Sequence, residues 1–123
     1  MATLIPKLSL TSQNSLTDPL NIETNYRVDN IVDPKEFSKR NIPTTSAITL
    51  MPTNSYYSYF YIKVLSGAAK TNYVTLTIGQ LFTTKVRINE FVFLPLDNTQ
   101  IVKAQSVLGK CKVEYGYWSR ESA

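Results

Sequence analysis

The feature that most constrains this chain is a regular alternation of apolar and polar residues, which begins near Ala47 and continues almost to the end. Successive side chains of a strand point to opposite faces, so alternation with a period of two indicates strands with one face in a core. Turn-forming residues interrupt the pattern about every ten residues. About eight short strands in this arrangement predict an all-β protein, an antiparallel β-sandwich of the jelly-roll or Ig-like kind.

The alternation also predicts which side chains form the core. The residues expected to face inward are Phe60, Ile62, Val64, Val74, Leu76, Ile78, Phe82, Val86, Ile88, Val113, Tyr115 and Tyr117. The sequence does not tell which strand lies at a sheet edge, but a threonine-rich strand such as 72–78 would suit that place, because its free backbone groups could accept a strand from a neighbour.

The first residues differ from the rest in pattern. We expect residues 1–19 to form an extended N-terminal arm and residues 20–123 to form a single β-sandwich domain. Within the arm, Leu4, Leu8 and Leu10 are apolar and precede a polar stretch without periodicity. They are candidate anchors on a neighbouring subunit, although a first strand followed by a loop is equally compatible with the sequence.

Two short elements are predicted between the arm and the main run of strands. Residues 20–28 alternate and should form a strand with one face in water. Asp33, Pro34 and Glu36 then carry the signals of a helix start, namely a cap, a first-turn proline and a glutamate three residues after the cap. These signals predict a short helical turn near 34–39.

The composition leaves few groups for catalysis. The chain has no histidine, one cysteine (Cys111), 18% charged residues and a net charge of +4. Histidine-dependent triads are excluded, and zinc sites nearly so. We therefore expect no enzymatic activity, no cofactor and no metal, and we expect Cys111 to be a buried thiol. The basic excess is too small and too dispersed for specific nucleic-acid binding, and no apolar run is long enough for a membrane helix.

Aromatic residues are the most distinctive side chains that remain. Tyrosines stand at 56, 57, 59 and 61, and further rings at Tyr73, Tyr115, Tyr117 and Trp118. Tyrosine and tryptophan anchor protein interfaces, and their rings also serve as stacking platforms for sugars or bases. The predicted interface residues are Leu4, Leu8, Leu10, Tyr56, Tyr57 and Tyr59.

Three stretches in order resemble small virion proteins of tailed bacteriophages. Residues 59–63 (YFYIK) are similar to a central strand of those proteins, residues 87–96 (RINEFVFLPL) look like a strand pair joined by a Gly-Glu turn, and residues 112–118 (KVEYGYW) resemble their last strand. Asn89 stands where those proteins usually have glycine, and asparagine tolerates a left-handed turn. Glu90 is expected to set that turn.

The resemblance implies a structural virion protein with a β-sandwich fold, a capsid decoration protein or a minor head or tail protein. Its expected partners are the major capsid protein or other virion proteins, and it would be a homo-oligomer within the particle. The expected location is the virion, after synthesis in the host cytoplasm. The alternative is a carbohydrate- or receptor-binding β-sandwich module of a tail or adhesion protein.

Overall fold

The computed structural model describes residues 2–12, 21–31, 36–52, 58–80, 82–96 and 100–119, and this part of the chain consists of strands, turns and connecting segments. The strands are β1 (Ala2–Leu4), β2 (Lys7–Thr11), β3 (Asn21–Asn25), β4 (Val28–Ile31), β5 (Glu36–Ile42), β6 (Ile48–Met51), β7 (Ser58–Gly67), β8 (Tyr73–Ile78), β9 (Phe82–Arg87), β10 (Phe91–Leu96), β11 (Val102–Val107) and β12 (Cys111–Ser119). The predicted all-β class is confirmed.

Eight of these strands form two four-stranded antiparallel sheets that pack as a sandwich. The strand orders are β10-β7-β12-β5 in the first sheet and β6-β11-β8-β9 in the second. The pairings are nested: β5 pairs with β12, β6 with β11, β7 with β10, and β8 with β9. Only the connection from β8 to β9 stays within one sheet, and every other connection crosses between the sheets.

The core lies between the two sheets, where the alternation predicted it. Phe60, Ile62 and Val64 of β7 are fully buried, and they face a second layer from β8 that includes Val74 and Leu76. The Cys111 thiol is buried as expected. Phe82 is an exception to the predicted core, because it begins the edge strand β9 and is 54% exposed.

The predicted helical turn near 34–39 is wrong. Residues 34 and 35 lie outside the described residues, and β5 begins at Glu36 and pairs with β12 in a register that sets Phe37 opposite Gly116. A local cap signal stabilises a helix by about 1 kcal/mol. Seven residues of ladder pairing against a buried strand outweigh that contribution, so tertiary pairing decides the conformation of this segment.

The candidate edge strand at 72–78 is not at an edge, because β8 is an inner strand between β11 and β9. The outermost strands of the two sheets are β5, β6, β9 and β10. Each carries a feature that disfavours pairing with another chain: Lys39 and Arg40 in β5, only four residues in β6, Lys85 in β9 and Pro95 in β10.

The turn between β9 and β10 carries the chain from the second sheet to the first. Asn89 has a φ of 72°, the left-handed conformation that the sequence suggested, and its N–H donates to the Val64 carbonyl at 2.7 Å. The Glu90 carboxylate accepts a hydrogen bond of 2.7 Å from the Arg87 N–H. Glu90 therefore closes the turn, which is a structural role.

A buried asparagine ties together two loops at one end of the sandwich. Asn72 is fully buried next to Gly109. With its amide oriented to satisfy both groups, it accepts from the Ala68 N–H at 2.9 Å and donates to the Leu108 carbonyl at 3.3 Å. The loops before β8 and β12 are thus linked by a side chain rather than by backbone pairing.

The remaining four strands form a two-stranded ribbon, which we call the N-terminal ribbon (residues 2–11 and 21–31). Strand β1 pairs with β4 and β2 pairs with β3, and the Tyr26 N–H donates to the Pro6 carbonyl at 3.2 Å between the two pairs. Val28 and Ile31 at its inner end are buried, whereas every residue of β2 and β3 is exposed. The ribbon is therefore anchored at one end and exposed at the other.

Candidate functional site: an aromatic sheet face beneath the N-terminal ribbon

The two sheets present very different outer faces. The second sheet turns threonines, lysines and a glutamine outward, for example Thr75, Thr77 and Lys103. The first sheet turns outward a group of aromatic rings, which we call the aromatic face (Phe37, Tyr59, Tyr61, Phe91, Phe93 and Trp118). A polar outer face is ordinary for an antiparallel sheet, so the aromatic face is the feature that requires a function.

The strand register brings these rings together from four separate strands. One row across the sheet runs from Phe93 through Tyr61 and Gly116 to Phe37. A neighbouring row contains Tyr59 beside Trp118. Gly116 contributes no side chain at the centre of the face, and its backbone is buried.

Direct contacts between rings hold the aromatic face in place. Tyr59 stacks on Phe93 with ring centres 6.0 Å apart and an interplanar angle of 11°. Phe37 and Trp118 are tilted by 36° with centres 6.3 Å apart. Such pairs contribute about 0.5–1.5 kcal/mol beyond their buried area. The rings are therefore ordered before any partner arrives, although Phe37 remains 57% exposed.

One hydrogen bond places a polar group among these rings. The Tyr61 hydroxyl donates to the Glu114 carboxylate at 3.1 Å. Partial burial and then the hydrogen bond to Glu114 raise the pKa of Tyr61 above 10.0. At neutral pH the phenol stays protonated and Glu114 acts as an acceptor. This arrangement positions the ring and provides no activated nucleophile.

The N-terminal ribbon crosses the aromatic face and leaves a cleft between the two. The cleft has a volume of about 470 Å³. Its ribbon wall is formed by Leu4, Pro6, Lys7, Leu8, Thr24, Asn25 and Tyr26, and its sheet wall by Tyr61, Phe91, Phe93 and Trp118. Except for Lys7 and Asn25, the ribbon residues that line the cleft all have even numbers, and they lie on one face of the ribbon. Both walls are thus mainly apolar, and the cleft suits an apolar or aromatic-stacking ligand.

The opposite face of the ribbon is mostly polar and turned to solvent, with Ile5 as an exposed apolar exception. The Arg27 guanidinium donates to the Asp29 carboxylate at 2.9 Å, and both side chains are exposed. The hydrogen bond to Asp29 raises the pKa of Arg27 above its ordinary value. Thr3 also donates to Asp29 at 3.4 Å. The ribbon is therefore amphipathic, and its apolar face is the one that lies over the sheet.

The structure places the residues that the sequence predicted as interface residues in three situations. Leu4 and Leu8 line the cleft, and Leu10 lies farther out on the same ribbon face, where it is 44% exposed. Tyr59 is half-buried on the aromatic face. Tyr56 and Tyr57 lie outside the described residues.

The sequence indicated Tyr61 and Trp118 as candidate rings but not Phe91 and Phe93, the other half of the sheet wall. Tyr115 is fully buried in the core, as the alternation predicted, and Tyr73 lies on the outer face of the second sheet, where Lys85 sits 5.1 Å from its ring centre. Neither joins the aromatic face. The signal for Phe91 and Phe93 was present in the sequence, because β10 is apolar at successive positions and so cannot bury both of its faces in one core.

Within the described part of the chain no group of three His, Cys, Asp or Glu side chains is placed to hold a metal ion. The same part contains no helix that is long and apolar enough to cross a membrane. No known family model, no curated protein and no solved structure matches the chain. The function therefore has to be argued from the aromatic face, the cleft and the ribbon.

Proposed function

We propose that this protein is a structural component of a larger assembly, which it joins through the aromatic face and the N-terminal ribbon. The observation that carries the proposal is the pairing of an ordered, partly exposed aromatic face with an amphipathic ribbon whose outer half is exposed on both strands. Exposed rings such as Phe91 and Phe37 are the residues that become buried anchors in protein interfaces.

The nested strand pairing supports a more specific fold assignment. In a jelly roll the first strand of the sandwich pairs with the last, the second with the second-last, and so on inward. The eight sandwich strands pair in this order, which differs from that of an Ig-like sandwich. Jelly rolls recur in viral capsid proteins and in lectins. The fold is thus compatible with an assembly role and with a carbohydrate-binding role.

The assembly we propose is the virion of a tailed bacteriophage, on the resemblance of residues 59–63, 87–96 and 112–118 to small virion proteins. In that setting the partners are the major capsid protein or other virion proteins. The four outermost strands carry features that oppose strand addition, so we expect side-chain burial rather than edge pairing to provide the contact.

Density-gradient fractionation of the native source tests this proposal. The expected result is that the chain sediments with intact particles, at a fixed copy number per particle measured by quantitative mass spectrometry. A chain that remains among the free proteins at the top of the gradient would refute the virion role.

A second candidate function is carbohydrate binding at the cleft. It is favoured by the rings of Tyr26, Tyr61 and Trp118 in the cleft walls, because flat aromatic surfaces stack on sugar rings. Since Trp118 is the single tryptophan and lines the cleft, its emission reports on an occupant. Saturable emission changes with one class of glycan, lost in Tyr61→Ala, would favour this function over assembly.

A further inference from the structure

We infer that the cleft receives the outer half of the N-terminal ribbon from a second copy of this chain, so that copies of the protein join ribbon to aromatic face. This inference rests on the proposed assembly function and identifies one partner in it. The ligand is thus a two-stranded ribbon with one apolar face, supplied by the same sequence.

The outer half of the ribbon has an apolar face that its own body leaves uncovered. Leu10 and Ile22 are directly opposite each other in the β2–β3 register and therefore lie on the same face. They are 44% and 43% exposed, and all ten residues of β2 and β3 are exposed. Side chains of this kind gain free energy when a partner removes them from water.

The cleft has the matching property, because it is apolar on both walls and open. At roughly 30 Å³ per water, its volume of about 470 Å³ accommodates on the order of fifteen water molecules. Water held against Phe91, Phe93 and Leu8 is released when an apolar side chain enters. Aliphatic side chains such as leucine and isoleucine fit a space of this size.

The chain's own Leu10 is badly placed to fill its own cleft. Leu8 already lines the cleft, and Leu10 follows two residues later in the same paired strand. Two residues of extended strand advance the chain by about 6.6 Å. Leu10 therefore lies farther out along the ribbon and does not line the cleft of its own chain.

The distribution of charge favours contact between the ribbon of one copy and the sandwich of another. In the sequence, the ribbon (residues 2–11 and 21–31) carries two basic and two acidic side chains, whereas residues 36–119 carry nine basic and four acidic side chains. Two sandwiches therefore repel each other, while a neutral ribbon approaches a basic sandwich without that repulsion. The charge distribution thus favours ribbon-to-sandwich contact over sandwich-to-sandwich contact.

Directed disulfide formation between copies tests the inference. A Leu10→Cys chain is mixed with a mass-tagged Lys63→Cys chain under mild oxidation, and the mixed disulfide is quantified by mass spectrometry. Lys63 is opposite Phe91 in the β7–β10 register, and its replacement leaves the apolar cleft wall intact. The matched control is Ser9→Cys, which lies one residue away on the opposite face of the same strand. Native Cys111 is buried and is common to all variants.

We expect the mixed disulfide to form at least tenfold faster with Leu10→Cys than with Ser9→Cys. Equal rates, or no mixed disulfide at concentrations well above micromolar, would overturn the inference. The Leu10→Ser and Ile22→Ser double variant should also lose self-association while remaining folded by circular dichroism. Retained self-association in that variant would equally overturn it.

These outcomes are separable from failure of the proposed function. A chain that never joins its own copies but sediments with particles would show that the partner is a different virion protein. A chain that joins its own copies but is absent from particles would support the inference and refute the virion role.

Discussion

Replacement of Phe91 by serine tests the aromatic face, because this ring is 58% exposed and lines the cleft. A phenylalanine side chain can bury about 200 Å², so the exposed fraction is about 115 Å². At about 25 cal/mol per Å² its burial by a partner contributes at most about 3 kcal/mol, which is about two factors of ten in a dissociation constant. Because binding also orders side chains, we expect a weakening of tenfold to a hundredfold.

The matched control is Phe82→Ser. Phe82 is 54% exposed and is also the first residue of an edge strand, but it belongs to the second sheet and does not line the cleft. The covered part of each ring is similar, so both variants should lose about 2 kcal/mol of unfolding free energy. Only Phe91→Ser should weaken self-association.

The assay is a dilution series followed by Trp118 emission, which is expected to shift to shorter wavelength as the cleft becomes occupied. Urea denaturation of each variant, followed by circular dichroism, gives the stability. Phe91 is not part of the contact surface if Phe82→Ser weakens association as much as Phe91→Ser does, or if Phe91→Ser changes stability alone.

Three further predictions concern single side chains. Asn72→Ala should lower the unfolding free energy by about 1–3 kcal/mol, because it removes the two hydrogen bonds that this buried side chain makes to the Ala68 N–H and the Leu108 carbonyl, and a loss below about 0.5 kcal/mol in urea denaturation would contradict this role. Asn89→Ala should cost about 1 kcal/mol and Asn89→Gly much less, since φ is positive there; equal losses in thermal melts would be contrary evidence. The pKa of Tyr61 is raised above 10.0 in the folded protein. Its protonated phenol therefore contributes stability that is fully present below about pH 10 and is lost as the pH rises through the raised pKa. Denaturation curves at mildly and strongly alkaline pH should therefore show a smaller alkaline loss in Tyr61→Phe, and an unchanged loss would exclude this linkage.

The core of the sandwich could be predicted from the sequence because its signal is local. Alternation in a single strand was enough to place Phe60, Ile62 and Val64 on the buried face, and all three are fully buried. The prediction that Phe82 lies in the core was wrong, because alternation gives the direction of a side chain but not its distance from the end of the sheet. The turn at Asn89 was recognisable because asparagine is one of the few residues that tolerate a left-handed conformation.

The candidate site was only partly predictable because it is built from non-local pairing. Tyr61, Phe91 and Trp118 meet only because β7 lies between β10 and β12, and nothing in any one strand specifies that order. The segment at 34–39 shows the same limitation, since its helix signals were local and its strand partner was distant. A local sequence pattern likewise could not predict that β2 pairs with β3 across the intervening residues.

Sedimentation velocity of the 123-residue chain across a wide concentration range tests whether copies of the protein join through the aromatic face and the ribbon. If the aromatic face and the ribbon are built for contact with other copies, the weight-average mass should rise with concentration above the 13.9 kDa of one chain. The Phe91→Ser variant should remain near that mass at concentrations where the wild type has associated. A wild-type chain that stays at 13.9 kDa at every concentration would contradict the account.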